Sequence, residues 1–313
     1  TIDDGEIEKF QAMAAEWWDP NGKFKPLHML NPTRLDYITA QVAAEFDRDM
    51  AAPAPFAGLR VLDIGCGSGF YTGCWAARGV RDYVGVDISA ATIDSLAQRF
   101  PEYRFLHRDV TEPRDSEQQL GGQFDVITVF DVFYHIVDDA RFENAVELVA
   151  TAAAPSACVL VMDQLFAERY QLSRHVVYRD RAQYLDTFGD RQLQLADGEL
   201  LFHYLVPPLS GSRLIDVLAA GVFKVAGFVL RLSAPLASRA AAALRRLDGR
   251  MRDRGRRVAN SEMLVFKPSG APTSARIVEG RSNGLKAPIP WRTPHTGAPS
   301  PPGRSSTSAF PAP

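Results

Sequence analysis

Residues 63–69 read Asp-Ile-Gly-Cys-Gly-Ser-Gly, an acid followed by three alternate glycines at the end of an apolar run. Such a turn lets backbone approach a ligand closely, and the ligand's chemistry follows from what surrounds the glycines. A phosphate loop would need Gly-Lys where this chain has Phe70 and Tyr71. The dinucleotide fingerprint would need its third glycine at Phe70. Asp63 at the turn's entrance repels a pyrophosphate and suits a ligand that carries an ammonium group. Asp131 and His135 follow a second apolar run, Phe124 to Phe130, where an acid and an imidazole together suit proton transfer.

These residues need a frame that brings them together. Apolar runs at 60–64, 83–87, 103–107, 124–130, 158–162 and 262–266 read as strands, and helical patterns at 69–79, 89–100, 113–121 and 138–153 separate the first five. Strand and helix in alternation predict parallel crossover units, hence a doubly wound α/β domain whose strand ends carry the site. A chain of 313 residues, 46% hydrophobic, holds one sizeable core with material left for an accessory element. Beyond Pro268, Pro and Ser recur without periodicity, so 269–313 reads as a disordered tail.

The formal net charge of -2 excludes a nucleic-acid binder that works by bulk attraction. Cys66, Cys74 and Cys158 match no zinc spacing and make no complete disulfide set, so the expected compartment is the reducing cytoplasm. The acidic start, with Asp3, Asp4, Glu6 and Glu8, has neither secretory nor transit character. No run of about 18 uncharged apolar residues occurs.

The stretch from about Gly58 to Phe166 resembles the class I S-adenosylmethionine (SAM) methyltransferases. The resemblance implies a Rossmann-like, mostly parallel seven-stranded sheet with the cofactor over Asp63, Gly65, Gly67 and Gly69. It also implies that Asp87, with Ile88 beside it, grips the ribose, and that Asp109 and Val110 meet the adenine. From the residues alone, Asp87 reads as a helix cap and Asp109 as a turn residue. A narrower likeness covers residues 6–38: Trp17-Trp18-Asp19-Pro20, Phe24-Lys25-Pro26-Leu27-His28 and Asn31-Pro32-x-Arg34-Leu35 resemble the N-terminal region of the ubiquinone-biosynthesis O-methyltransferases. That likeness implies a helical cap over residues 1–50, contact of Arg34 with the cofactor carboxylate, and Phe130 lining the adenosine. The paired tryptophans and Phe24 read more simply as packing.

The likeness breaks after the fourth strand. Where that family carries an acid, two residues and Glu-His around a divalent metal, this chain reads Asp131-Val132-Phe133-Tyr134-His135. Tyr134 replaces a carboxylate, so the sequence assigns no metal site. His135 and Asp131 are then the catalytic candidates, His135 as base for a hydroxyl acceptor, against the alternative that it packs beneath the cofactor or holds a loop. His175, His203 and Tyr134 are weaker candidates, and His28 and His107 read as structural. The segment from Gln164 to Arg181 is not recognisable in that family.

An insertion at 208–260 precedes the last strand. In its apolar part, Leu214 to Leu236, the charges Asp216, Lys224 and Arg231 fall within ~80° on a helical wheel. Residues 245–257 then hold seven Arg against two Asp. Residues 212–257 therefore read either as a lid with a solvated connection or as a peripheral contact with an anionic membrane. The expected activity is O-methylation of a small, quinol-like or lipid-borne acceptor. The alternatives are methylation of a sugar or other polar metabolite, and SAM binding without catalysis. Oligomeric state has no signature in the sequence.

Overall fold

The computed structural model describes residues 25–112, 120–165, 168–201 and 260–270, together with scattered helical positions between 217 and 246. The expectations for Trp17, Trp18, Phe24, His203 and the tail, and most of those for the insertion, lie outside the described residues, as does most of the helix expected at 113–121.

A helix, α1 (Lys25–Glu45), precedes the alternating region of β1 (Arg60–Ile64), α2 (Phe70–Ala76), β2 (Asp82–Asp87), α3 (Ala90–Arg99), β3 (Arg104–His107) and β4 (Phe124–Phe130). A single 3-10 turn (Phe133–His135) leads into α4 (Asp139–Ala152) and β5 (Ala153–Leu165). The hairpin β6 (Tyr170–Ser173) and β7 (Val176–Tyr178), α5 (Arg181–Gly189), β8 (Leu193–Leu200) and β9 (Asn260–Pro268) follow. The main sheet has seven strands in the order β3-β2-β1-β4-β5-β9-β8, with β9 antiparallel to both neighbours. This is the doubly wound, mostly parallel sheet expected, with β8 and the separate β6–β7 hairpin added to the strands legible in the sequence.

The strands read as nearly unbroken apolar runs because both faces are covered. Leu62, Ile127, Val129, Val159 and Val161 pack against Phe142, Val146 and Val149 of α4 and Tyr184 and Phe188 of α5. Their alternates Val61, Val126, Cys158 and Leu160 pack against Ile38 and Val42 of α1, Trp75 of α2 and Leu96 of α3. Helix α1 is further held at the far edge, where Tyr37 and Gln41 donate to Asp197 of β8 at 2.8 and 2.5 Å. β5 begins at once after α4 and is longer than expected. Its pairing with β4 is irregular between Phe124 and Val126, opposite the stretch that contains Pro155, which has no N–H to give the ladder.

The order reverses between β1 and β4, so the crevice for a ligand opens at the carboxyl ends of these two strands. The glycine turn leaves β1 there, and Asp131 leaves β4.

Candidate functional site

Gly65, Gly67 and Gly69 all have left-handed backbones, with φ of 72°, 50° and 76°. A Cβ on Gly65 would lie 2.3 Å from Val132, so the turn is pressed against the segment after β4 and only glycine fits. At Gly67 a Cβ would meet nothing closer than the Gly65 carbonyl oxygen at 3.6 Å, so this face of the turn is open to a ligand. From the other side Arg99 of α3 donates to the Ser68 carbonyl at 2.7 Å.

The acids around the turn differ in what they have left to offer. Asp87, at the end of β2, accepts the Gly67 N–H on one oxygen and the Ser89 N–H on the other, each at 2.9 Å. The helix-cap role falls to Ser89, whose hydroxyl accepts the Thr92 N–H. Burial raises the Asp87 carboxyl, with the amides of Ser89 and Gly67 opposing. Ile88 follows it, and its carbonyl meets the His107 ring at 3.0 Å. Asp63 is 2% exposed and accepts the hydroxyls of Thr128 at 2.7 Å and Tyr83 at 2.8 Å. Burial pushes it up to about 6. Asp109, beyond β3, accepts the amide and hydroxyl of Thr111 on one oxygen, at 2.9 and 2.6 Å, and pairs with Arg141 of α4 at 2.5 Å on the other. Val110 packs against the α4 side of the core.

On the β4 side, Asp131 has φ of 58°, an uncommon conformation for a residue other than glycine, and its N–H still reaches the Met162 carbonyl of β5 at 2.9 Å. Its carboxylate lies 3.5 Å from Nη1 of Arg34, a residue of α1 that is only 7% exposed. Tyr71, absent from the sequence candidates, hydrogen-bonds Arg34 and sets its ring 4.7 Å from that of Phe130. His135 ends the 3-10 turn, with its ring 4.3 Å from that of Tyr134. Burial pushes His135 down to about 4, well below the value that makes an ordinary histidine half-charged near neutrality. Among the described residues no three of His, Cys, Asp and Glu gather as metal ligands do.

A further acid was missed. Asp163 of β5 lies one register step beyond the Phe130–Met162 pair and so next to Asp131. It is 1% exposed, and the Tyr184 hydroxyl of α5 and the Gln164 N–H donate to it. Burial first, then Asp131, push it up to about 7, against the Tyr184 hydrogen bond. An acid closing an apolar run was its visible signal.

The glycine turn, the acid at the end of β2 and the Arg34–Asp131 pair lie within a region that a family model matches. A family model described as a methyltransferase domain matches residues 34–196, more than half of the chain. The chain belongs to the SAM-dependent methyltransferase family. Relatives of this chain include proteins named ubiquinone biosynthesis O-methyltransferase. One from Ruegeria sp. (strain TM1040) is 46% identical over 159 residues, covering 50% of this chain and 64% of the relative. Another, from Roseobacter denitrificans, is 52% identical over 137 residues, covering 44% and 54%. The chain thus spans between 54% and 64% of the length of these curated relatives. A crystal structure of magnesium protoporphyrin IX methyltransferase from Synechocystis PCC 6803 with bound SAM aligns with 65% of this chain and 92% of that one, at 17% identity and a TM-score of 0.47.

Proposed function

We propose that this chain transfers a methyl group from SAM to a hydroxyl of a small, hydrophobic, quinol-like acceptor. What supports the reading is the β1–β4 switch point, where the open-faced Gly67 after β1 donates its N–H to Asp87 and where Asp131, after β4, pairs with the Arg34 guanidinium. The groups present suit SAM. Asp87 retains acceptor capacity for the ribose hydroxyls beyond its two backbone bonds. Arg34 suits the methionine carboxylate, with Asp131 and Tyr71 fixing its orientation. Asp63, Gly65, Gly67 and Gly69 shape the turn beneath the methionine part, Ile88 and Phe130 flank the adenosine, and Asp109 with Val110 stands at the adenine end.

SAM supplies an already activated sulfonium methyl, so the protein's task is alignment of the acceptor and disposal of its proton. His135 carries a neutral imidazole at physiological pH and serves as the acceptor of that proton. A base held near 4 cannot take the proton of a phenol at ~10 in advance, so the proton leaves as the methyl arrives. Asp131 orients Arg34 and faces the same crevice.

The acceptor side extends to a membrane surface. Within residues 212–257 the described helical positions Val217, Leu218, Val225 and Phe228 are each 64–69% exposed, and the arginine-rich run follows them. We infer a peripheral, salt-sensitive contact with anionic lipid that meets a lipid-borne acceptor. No helix among the described residues is long and apolar enough to cross a membrane.

Transfer of labelled methyl from SAM to a prenylated catechol, with a glycoside in a parallel arm, tests the reading. Product in the catechol arm is expected. Product in the glycoside arm alone would move the acceptor to the polar class, and none in either arm would remove the activity.

A further inference from the structure

Between β5 and α5, the described residues 168–180 hold the hairpin β6–β7 and its two feet. One carboxylate holds both feet. Asp139, the first residue of α4, pairs with Arg169 before β6 on one oxygen. On its other oxygen it accepts Nη2 and Nε of Arg179, which follows β7, at 2.8 and 3.1 Å. Burial would raise Asp139, but the hydrogen bonds from Arg169 and Arg179 outweigh it and hold the carboxyl below its ordinary value, so the clasp is charged at neutral pH.

Arg179 does more than close the clasp. Its side chain is 0% exposed and its guanidinium carbon lies 4.1 Å above the Phe142 ring. It also donates to the carbonyls of Phe133 at 3.3 Å and Asp138 at 3.4 Å, the two ends of the segment that carries His135. Desolvating a guanidinium is costly, and an apolar side chain would join hairpin to helix more cheaply. What the arginine adds is directional control of the Phe133–His135 turn. Beside it, Tyr178 of β7 stands 5.6 Å from Tyr134, whose ring is 4.3 Å from His135, which makes a row of three rings at the carboxyl end of β4.

We propose that the β6–β7 hairpin is the acceptor-side specificity element, with Arg179 as the positioning residue for the His135 turn and Tyr178 as part of a wall that receives an aromatic acceptor ring. The inference rests on the transfer reading above, and it assigns the flat aromatic part of the acceptor, rather than any tail, to this wall.

The test is steady-state methyl transfer from SAM to a prenylated catechol by the full chain and by R179K, D139N, Y178L and Y178F, with SAM affinity measured by calorimetry on each. R179K and Y178L are expected to raise the catechol KM by about tenfold or more while the SAM Kd stays within about twofold, and Y178F, which keeps the ring, to recover most of the loss. D139N keeps an acceptor oxygen on a half-exposed side chain and is the variant expected to fold without difficulty, with the same direction of effect. Unchanged catechol KM in D139N and Y178L, or a fall in SAM affinity of the same size, overturns the assignment while leaving the transfer reading intact. If the unmodified chain transfers no methyl to the catechol, the transfer reading fails and this assignment goes with it.

Discussion

Replacing Asp163 by Asn should stabilise the protein at alkaline pH and not at acid pH. Asp163 is almost wholly buried and is pushed from the ordinary 3.8 up to about 7. The groups that face it are Tyr184 from α5, Asp131 beyond β4, Arg179 beyond β7 and the Gln164 amide of its own strand. Tyr134 and Tyr178 feel its charge too. Arg34 pairs with Asp131 and opposes the rise there, so Asp163 is the carboxyl that holds its proton through the acid range and is about half protonated near pH 7.

A folded-state value above the unfolded one means that the unfolded chain gives up the proton more readily. Below pH 3.8 both states are protonated and nothing is lost. Through the window from 3.8 to about 7 the folded state loses stability progressively, and above 7 the loss is complete. At about 1.4 kcal/mol for each tenfold change in acid strength, the interval corresponds to about 4 kcal/mol. Asn resembles the protonated acid: its oxygen accepts the Gln164 N–H and its amide can donate to the Tyr184 oxygen. Urea unfolding at pH 4.5 and pH 8.5 measures the difference between variant and parent. The expected result is a variant stabilised by about 2 to 4 kcal/mol more at pH 8.5 than at pH 4.5. A difference that does not change with pH, or a variant that is less stable at pH 8.5, would refute the claim that Asp163 is buried as the neutral acid.

Other outcomes follow from the same geometry. Asp87→Asn should weaken SAM binding about 10- to 100-fold by calorimetry, because charge-assisted bonds to the ribose become neutral ones, and an unchanged Kd would remove Asp87 from the cofactor site. His135→Gln should lower kcat by about 100-fold, and the parent should show no acid limb from this residue until pH falls toward about 4, where the imidazole charges; full activity in the variant would return His135 to packing. Because Asp131 is engaged with Arg34 and Tyr134 stands where a carboxylate would complete a metal set, activity should survive EDTA, whereas loss that magnesium restores would mean that a metal is used. Liposomes with anionic lipid should float the protein at low salt and release it at high salt, and the same result after deletion of residues 245–257 would rule out the arginine run as the contact.

β1, β2 and β4 are legible to within a residue because each is an apolar run with a buried centre that ends at a Gly or Asp. β8 is not, since Leu193–Leu200 reads Leu-Gln-Leu-Ala-Asp-Gly-Glu-Leu, lies at the sheet edge and carries an irregularity between Leu195 and Asp197. Its pairing with β9 spans some sixty residues of sequence, which no local pattern encodes. α5 did have a signal, because Asp180 caps it by accepting the Gln183 N–H, an acid three residues before a Gln. Arg179 had none. Its partner Asp139 is 40 residues away, and only the fold makes one carboxylate serve both feet of a hairpin.

The acids show how far a motif carries a role. A carboxylate has about four lone-pair positions. Asp63 spends two on Thr128 and Tyr83 and is closed off from solvent, so its capacity goes into tying β1 to β2 and β4 beneath the glycine turn. Asp109 spends three, one of them on a guanidinium that draws its charge away from any adenine amine. Asp87 spends two, both on backbone that shapes the ligand side of the turn, and remains partly accessible. Three acids that stand alike in the sequence thus differ in what remains after the protein has used them, and that remainder makes Asp87 the residue on which cofactor affinity should depend most steeply.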